Sequence, residues 1–244
     1  MTIRVGVGGW TYEPWRGVFY PEGLAQKREL EFAARALTAI EINATYYGRQ
    51  KPASWAKWAE AVPEGFKVSL KASRYCTARK KLAEGKQSIN TFVQQGFTAL
   101  GNKLGPINWQ FAEGKQFDRE DFARFLELIP DVQDGIPLRH ALEVRHESFA
   151  DPAFLDLARA REMAVVFADD DEFPRIDEQT ADFTYARLQR SVEDVETGYD
   201  AEALDGWAKQ VKAWAEGGRD VFVYFISGAK VRNPAAAQAL ITRL

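Results

Sequence analysis

Leu37-Thr38-Ala39-Ile40-Glu41-Ile42-Asn43 is an apolar run of strand-like composition that finishes in polar and charged side chains. The same ending recurs in Phe66-Lys67-Val68-Ser69-Leu70-Lys71, Gly105-Pro106-Ile107-Asn108-Trp109-Gln110 and Ala141-Leu142-Glu143-Val144-Arg145. It returns in Val165-Val166-Phe167-Ala168-Asp169 and in Phe183-Thr184-Tyr185-Ala186-Arg187. Successive side chains of a strand point to opposite faces, so Glu41 shares a face with Asn43, Glu143 with Arg145, and Tyr185 with Arg187. Ile40 with Ile42, Val68 with Leu70, and Leu142 with Val144 take the other face, which suits packing against helices. Strands that bury apolar residues outward and collect charge at their C-terminal ends describe a barrel with a polar mouth.

Residues 3–9 and 221–226 read as a first and a last strand, bringing the strand candidates to eight. Between them, helical spacing covers residues 25–36, 53–62, 87–100, 118–129, 152–162 (with Asp151 as cap) and 201–216. Asn233-Pro234 reads as a cap with proline in the first turn, opening a terminal helix over 235–244. Strands alternating with helices favour a closed α/β (β/α)₈ TIM barrel over an open doubly wound sheet. The acidic, proline-containing stretch between Asp169 and Phe183 lacks amphipathic spacing. An irregular connection between strands 6 and 7 is therefore expected. No linker or repeat divides residues 1–244, so a single domain is the reading.

Composition narrows the function classes. A hydrophobic fraction of 46% and a charged fraction of 27% are those of a globular domain, and the net charge of −3 supplies no global basic field. The one cysteine, Cys76, forms no internal disulfide, and Met1-Thr2-Ile3-Arg4-Val5 opens as a strand rather than a signal peptide. A cytoplasmic location is expected, with no membrane span. His140 and His146 are the only histidines. No metal site is expected on that account, although Asp169, Asp170 and Asp171 are oxygen donors of the kind Mg²⁺ uses. No dinucleotide fingerprint occurs, so no cofactor is expected and hydrolysis or isomerisation is favoured over redox chemistry.

Gly9-Trp10-Thr11-Tyr12-Glu13-Pro14-Trp15-Arg16-Gly17-Val18-Phe19-Tyr20-Pro21 resembles the opening signature of the YecE-like family, also called the domain of unknown function 72. The resemblance continues through Glu41-Ile42-Asn43-Ala44-Thr45-Tyr46-Tyr47, Trp55 and Phe66-Lys67-Val68-Ser69-Leu70-Lys71-Ala72. It extends to Gln110-Phe111, Glu143-Val144-Arg145-His146, Asp169 and Tyr185-Ala186-Arg187-Leu188. It implies a TIM-barrel fold and carries no activity, cofactor or catalytic assignment. The chain departs from the family pattern at Ala78 and Gln189, where histidines are usual, and at Phe225-Ile226-Ser227-Gly228, where an Asn-rich turn is usual.

Within this frame Glu41 and Glu143 are the candidate acid–base pair, because two carboxylates facing one pocket can differ in proton affinity. Equally, each can complete a polar layer by pairing with Lys71 or Arg145. Lys71 is the third catalytic candidate, either as a desolvated amine that attacks a carbonyl or as a charged partner for a substrate anion. Arg145 and Arg187 have the paired donors that bind carboxylate or phosphate, or that form buried salt bridges. Trp10, Tyr12, Asn43, Gln110, His146 and Asp169 complete the substrate-binding candidates around the strand ends. His146 is either a proton shuttle or a loop hydrogen-bonding residue. The leading expectation is an enzyme acting by acid–base chemistry on a polar small-molecule substrate, anionic or polyol. The alternative is a non-catalytic binding protein for a sugar, a nucleotide or a nucleic-acid end, which the basic stretch over 67–86 leaves open. The oligomeric state is not legible.

Overall fold

A computed structural model describes residues 1–244. Its main sheet is parallel throughout and begins with β1 (Ile3–Gly8), β2 (Ala39–Ile42), β3 (Lys67–Lys71) and β4 (Leu104–Gln110). It continues with β5 (His140–Glu143), β6 (Ala164–Val165 and Phe167–Asp169), β7 (Phe183–Leu188) and β8 (Asp220–Phe225). Strand β6 is one run of chain interrupted at Val166. Its first segment pairs with β5 and its second with β7, while β1 pairs with both β2 and β8. Every strand position therefore has two neighbours, and the expected barrel is observed.

The helices are α1 (Glu29–Ala36), α2 (Pro52–Ala61), α3 (Lys86–Val93), α4 (Arg119–Leu128), α5 (Pro152–Ala160), α6 (Ala201–Trp214) and α7 (Asn233–Ile241). Asp118, Asp151 and Asp200 cap three of them, accepting the backbone N–H of Asp121 at 3.0 Å, Ala153 at 2.8 Å and Ala203 at 2.8 Å. Each cap satisfies a donor that the first helical turn leaves open. No helix forms between Asp169 and Phe183, as the missing periodicity predicts.

Three local readings change. Helix α3 stops at Val93 rather than running to residue 100, because Gly96 takes a left-handed φ of 93° and short 3₁₀ turns follow. Asn233 lies inside α7 instead of capping it; its amide holds Ser191 Oγ at 2.7 Å and Ser227 O at 3.1 Å, tying together the β7 and β8 loops. A hairpin of Val132–Gln133 and Ile136–Pro137 precedes β5, turning at Asp134-Gly135 with φ of 48° and 78°. Two residues at positive φ are what such a turn requires, and Asp-Gly is its sequence sign.

Ile40, Ile42, Val68, Leu70, Leu142 and Val144 join the outer core between barrel and helices. Ala39, Ala141, Phe183, Tyr185, Phe222 and Tyr224 fill the barrel interior instead. The alternation read from sequence is thus realised, and it carries the polar members of each strand onto the inner face. Gly6 permits the closest approach, since a Cβ there would meet Ala39 O at 1.9 Å. No helix is long and apolar enough to cross a membrane.

Candidate functional site

Two glutamates and one arginine form the floor of the C-terminal mouth. Glu41, from β2, receives the Tyr185 hydroxyl at 2.5 Å on Oε2 and Arg187 Nη2 at 3.2 Å on Oε1. Glu143, from β5, receives Arg187 Nη1 at 2.6 Å and Gln110 Nε2 at 2.7 Å on Oε1. Asn108 Nδ2 bridges the pair, 2.8 Å from Glu143 Oε2 and 3.4 Å from Glu41 Oε2. Arg145 closes over Glu143 at 3.1 Å while its guanidinium stacks on Phe173, 4.3 Å from the ring centre. Glu41, Glu143 and Arg187 are at most 2% exposed. Buried charges persist only where partners and hydrogen bonds replace water, and here every glutamate oxygen has a donor.

Lys71 stands apart from this floor. Its ammonium lies over the Tyr46 ring, 4.4 Å from the centroid, and its side chain is only 8% exposed. No carboxylate lies within ion-pair distance of its Nζ, and no protein atom accepts a hydrogen bond from it. Burial, reinforced by the positive charge of Arg187, lowers its pKa to about 8 against the pull of Glu143 and Glu41. Cation–π contact offsets part of the lost hydration without neutralising the charge.

Burial alone would raise the Glu143 pKa, but Arg187, Arg145 and Lys71, with the Asn108 hydrogen bond, hold it down at about 2. Glu143 is therefore an ionised carboxylate through the neutral range. Its folded-state affinity for protons is below the ordinary value of 4.5, so it contributes stability above that pH, and loses it as pH falls toward 2. The loss amounts to on the order of 3 kcal/mol. Urea unfolding midpoints from pH 7 to 2.5 are expected to fall along this limb in the native protein. In Glu143→Gln the limb attributable to this group disappears, and an unchanged acid profile would contradict the assignment.

The remaining sequence candidates divide. Gln110 belongs to the floor. Asn43 stands at the end of β2, where Gly8 leaves space for it: a Cβ on Gly8 would lie 2.9 Å from Asn43 Nδ2. Trp10 packs edge-on against Trp58 at 5.3 Å, and Tyr12 lies between Trp15 at 5.6 Å and the Lys230 ammonium at 4.3 Å. The Trp15 indole donates to Lys230 O at 2.8 Å, so this aromatic loop is stapled to the β8 loop. His146 Nδ1 accepts the Ser148 N–H at 3.1 Å and caps the turn Glu147–Phe149, so this nitrogen has the loop role.

Asp169 does not join the network. Two residues after Phe167, it shares that residue's helix-facing side and pairs with Arg190 at 3.0 Å. Burial raises its pKa, and Arg190 pulls the other way. Arg187 is the hub rather than a free anchor, since both terminal nitrogens are committed to glutamates. Asn108 and Tyr185 are floor residues absent from the candidate list. Each lies two positions before a candidate, Gln110 and Arg187, on the same strand face. Of the two positions where the family pattern has histidine, Ala78 is exposed, while Gln189 is buried with its Nε2 unpartnered. No group of three or more His, Cys, Asp or Glu side chains is arranged to hold a metal.

Residues 4–244 match the family described as protein of unknown function DUF72. The chain belongs to the DUF72 family. A DUF72 family protein of Thermotoga maritima MSB8 superposes with a TM-score of 0.77 at 22% identity, covering 99% of this chain and 97% of the other. A DUF72 family protein of Enterococcus faecalis V583 gives 0.75 at 19% identity, covering 100% and 95%. Both likenesses concern the fold. In sequence, the UPF0759 protein YunF of Bacillus subtilis (strain 168) is 24% identical over 159 residues, 63% of this chain. The match spans 54% of YunF's own length.

Proposed function

We propose that the barrel mouth is the active site of an enzyme that performs proton-transfer chemistry, of hydrolase or isomerase type, on an anionic polar small molecule. The observation that carries this reading is Lys71: a nearly buried amine, unpaired, with a pKa near 8 and placed at a barrel strand end. Proton transfer is most effective when the pKa of the group lies near the working pH. Lys71 is mostly protonated at neutral pH and gives its proton to a substrate oxygen on which negative charge develops. Arg145, 19% exposed, follows β5, which flanks β4 on the side away from β3, and holds the substrate anion together with Lys71.

Glu41 and Glu143 have a different role from a two-carboxylate acid–base pair. The Arg187 guanidinium and the Asn108 amide occupy the space between them, leaving none for a scissile bond. They act as fixed anions that pair with the Arg187 and Arg145 guanidiniums and hold Tyr185 and Gln110 in place. Such a prearranged floor does not reorganise while charge moves above it. The competing reading, a binding protein for a sugar, nucleotide or nucleic-acid end, draws on the same saturation, since a closed floor also suits a passive mouth.

Lys71 itself provides the test. In protein carrying ¹³C-labelled lysine, its signal, assigned by loss in Lys71→Arg, is expected to titrate near 8. Exposed lysines titrate near ~10.4. Inorganic phosphate is expected to move the Lys71 midpoint upward, because a neighbouring anion favours the ammonium. A Lys71 that titrates with the exposed lysines, or that ignores phosphate, would refute the proposal.

A further inference from the structure

Beside the mouth, between the segment after β2, the segment after β3 and helix α3, lies a cavity of about 350 Å³. Thr45, Ser73, Ser88 and Thr91 line it with hydroxyl side chains, of which Ser88 accepts from Arg79 and Thr45 donates to backbone carbonyls. Exposed Gln87 brings an amide, while the Gln95 amide, 3% exposed, is hydrogen-bonded to Gln50 N and Phe92 O. Among its ten lining residues there is no Asp or Glu, and Arg49 is the only charged one. Arg49 makes no ion pair with any carboxylate in the chain. Two aromatic surfaces complete it: Phe92, buried, and Tyr75, whose side chain is left 59% exposed. Neutral donors and acceptors around an accessible ring face form the lining that suits a hydroxyl-rich ring, with C–H edges on the aromatic face and hydroxyls toward the amides.

The cavity and the mouth share a wall. Thr45 lines the cavity, and its hydroxyl donates to the carbonyl of Lys71 at 2.6 Å. The next residue, Tyr46, carries the Lys71 ammonium on its ring. One short segment, Ala44–Tyr47, therefore separates the anion-binding amine from the hydroxyl-lined cavity. Gly48, at the end of that segment, also lines the cavity and has open space where a Cβ would stand.

We infer that this cavity is a second subsite, which takes the sugar portion of an extended substrate whose anionic end lies at Lys71 and Arg145. The inference rests on the proposed role of the mouth and adds a substrate class to it: phosphorylated or carboxylated sugars, bound in two parts. Arg49 and Tyr75 select for the sugar, and Lys71 and Arg145 hold the anion. Joining two weakly bound parts raises affinity without new contacts, because the second part binds at high effective concentration.

The test uses single-part and two-part probes in NMR titrations of the full chain: glucose, ribose, inorganic phosphate, glucose 6-phosphate and ribose 5-phosphate. The backbone amides of Ser88 and Thr91 report on the cavity, and the Lys71 side-chain signal reports on the mouth. Phosphate is expected to move Lys71 alone, at least one free sugar to move Ser88 and Thr91 alone, and a sugar phosphate to move both. The sugar phosphate should bind at least about tenfold more tightly than phosphate. Thr91→Trp fills the cavity and should erase that gain while leaving phosphate affinity unchanged. Arg49→Ala, an exposed change without lost contacts, should reduce the gain severalfold and guards against a folding defect in the first variant. Sugar phosphates that bind no better than phosphate, or a gain that survives Thr91→Trp, overturn the inference while the mouth reading stands. If phosphate leaves Lys71 unmoved, the mouth reading falls and the two-part binding falls with it. Sugar-induced shifts at Ser88 and Thr91 would then mark the cavity as a separate site.

Discussion

Arg187→Met is expected to destabilise the fold by about 3–5 kcal/mol at neutral pH, read as a large fall in the urea midpoint. The arginine is 2% exposed, and its terminal nitrogens are the hydrogen-bonded cations that Glu41 and Glu143 have in common. Methionine fills comparable volume but leaves two carboxylates facing each other across a buried interior. The penalty is the desolvation of those charges, not the loss of an attraction worth that much in itself. The pH dependence distinguishes this account from a packing defect. In the native protein Glu143 loses stability as pH falls from 4.5 toward 2. Without Arg187 the folded carboxylate takes up its proton at higher pH, so the acid-dependent loss shrinks or reverses sign. Arg187 also lowers the Lys71 pKa, and its removal should move the Lys71 titration upward from about 8. A variant with native stability, or one whose acid profile is unchanged, would mean that the hub is not electrostatic.

How much of this arrangement is legible before folding can be argued residue by residue. Alternation along a strand suffices to put Glu41, Lys71, Glu143 and Arg145 on the inner face, because their apolar neighbours Ile40, Leu70, Leu142 and Val144 have to pack outward. The same rule, applied through Phe167, puts Asp169 outside, and applied through Gln110 and Arg187 it recovers Asn108 and Tyr185. Those three were readable. What alternation does not contain is which strands face each other across the closed barrel. Tyr185 and Glu41 are 144 positions apart, and Arg187 and Glu143 are 44 apart. Their pairing depends on closure and stagger, which are properties of the whole sheet. The solitary state of Lys71 is set by the segment Ala44–Tyr47, whose conformation brings the Tyr46 ring beneath the amine. The cavity beside it lies between elements distant in sequence and has no motif of its own.

On the proposed acid role of Lys71, Lys71→Arg is expected to lower kcat on the substrate by about 10²–10⁴, while KM changes only severalfold. The substitution keeps a positive charge over Tyr46, so anion binding persists. It removes the group that titrates near 8, because a guanidinium does not release its proton in the accessible pH range. The size of the kcat loss separates proton transfer from simple charge holding, and the pH profile shows that the titrating group is Lys71. If the ammonium is the acid, native activity falls as pH rises through about 8, and the residual activity of Lys71→Arg lacks that limb. A lysine that only holds an anion would tolerate arginine: the variant would retain most of its kcat and would lose the alkaline limb too, because the guanidinium keeps its charge above pH 8. Borohydride reduction gives a third arm. A substrate-dependent adduct trapped on Lys71 would mean that the amine attacks a carbonyl and forms an imine with loss of water, instead of donating its proton. Glu143→Gln belongs in the same series, because the charge of Glu143 raises the proton affinity of Lys71. Removing that charge should move the alkaline limb to lower pH. An immobile limb would place the titrating group elsewhere and leave Lys71 as a structural cation on the barrel rim.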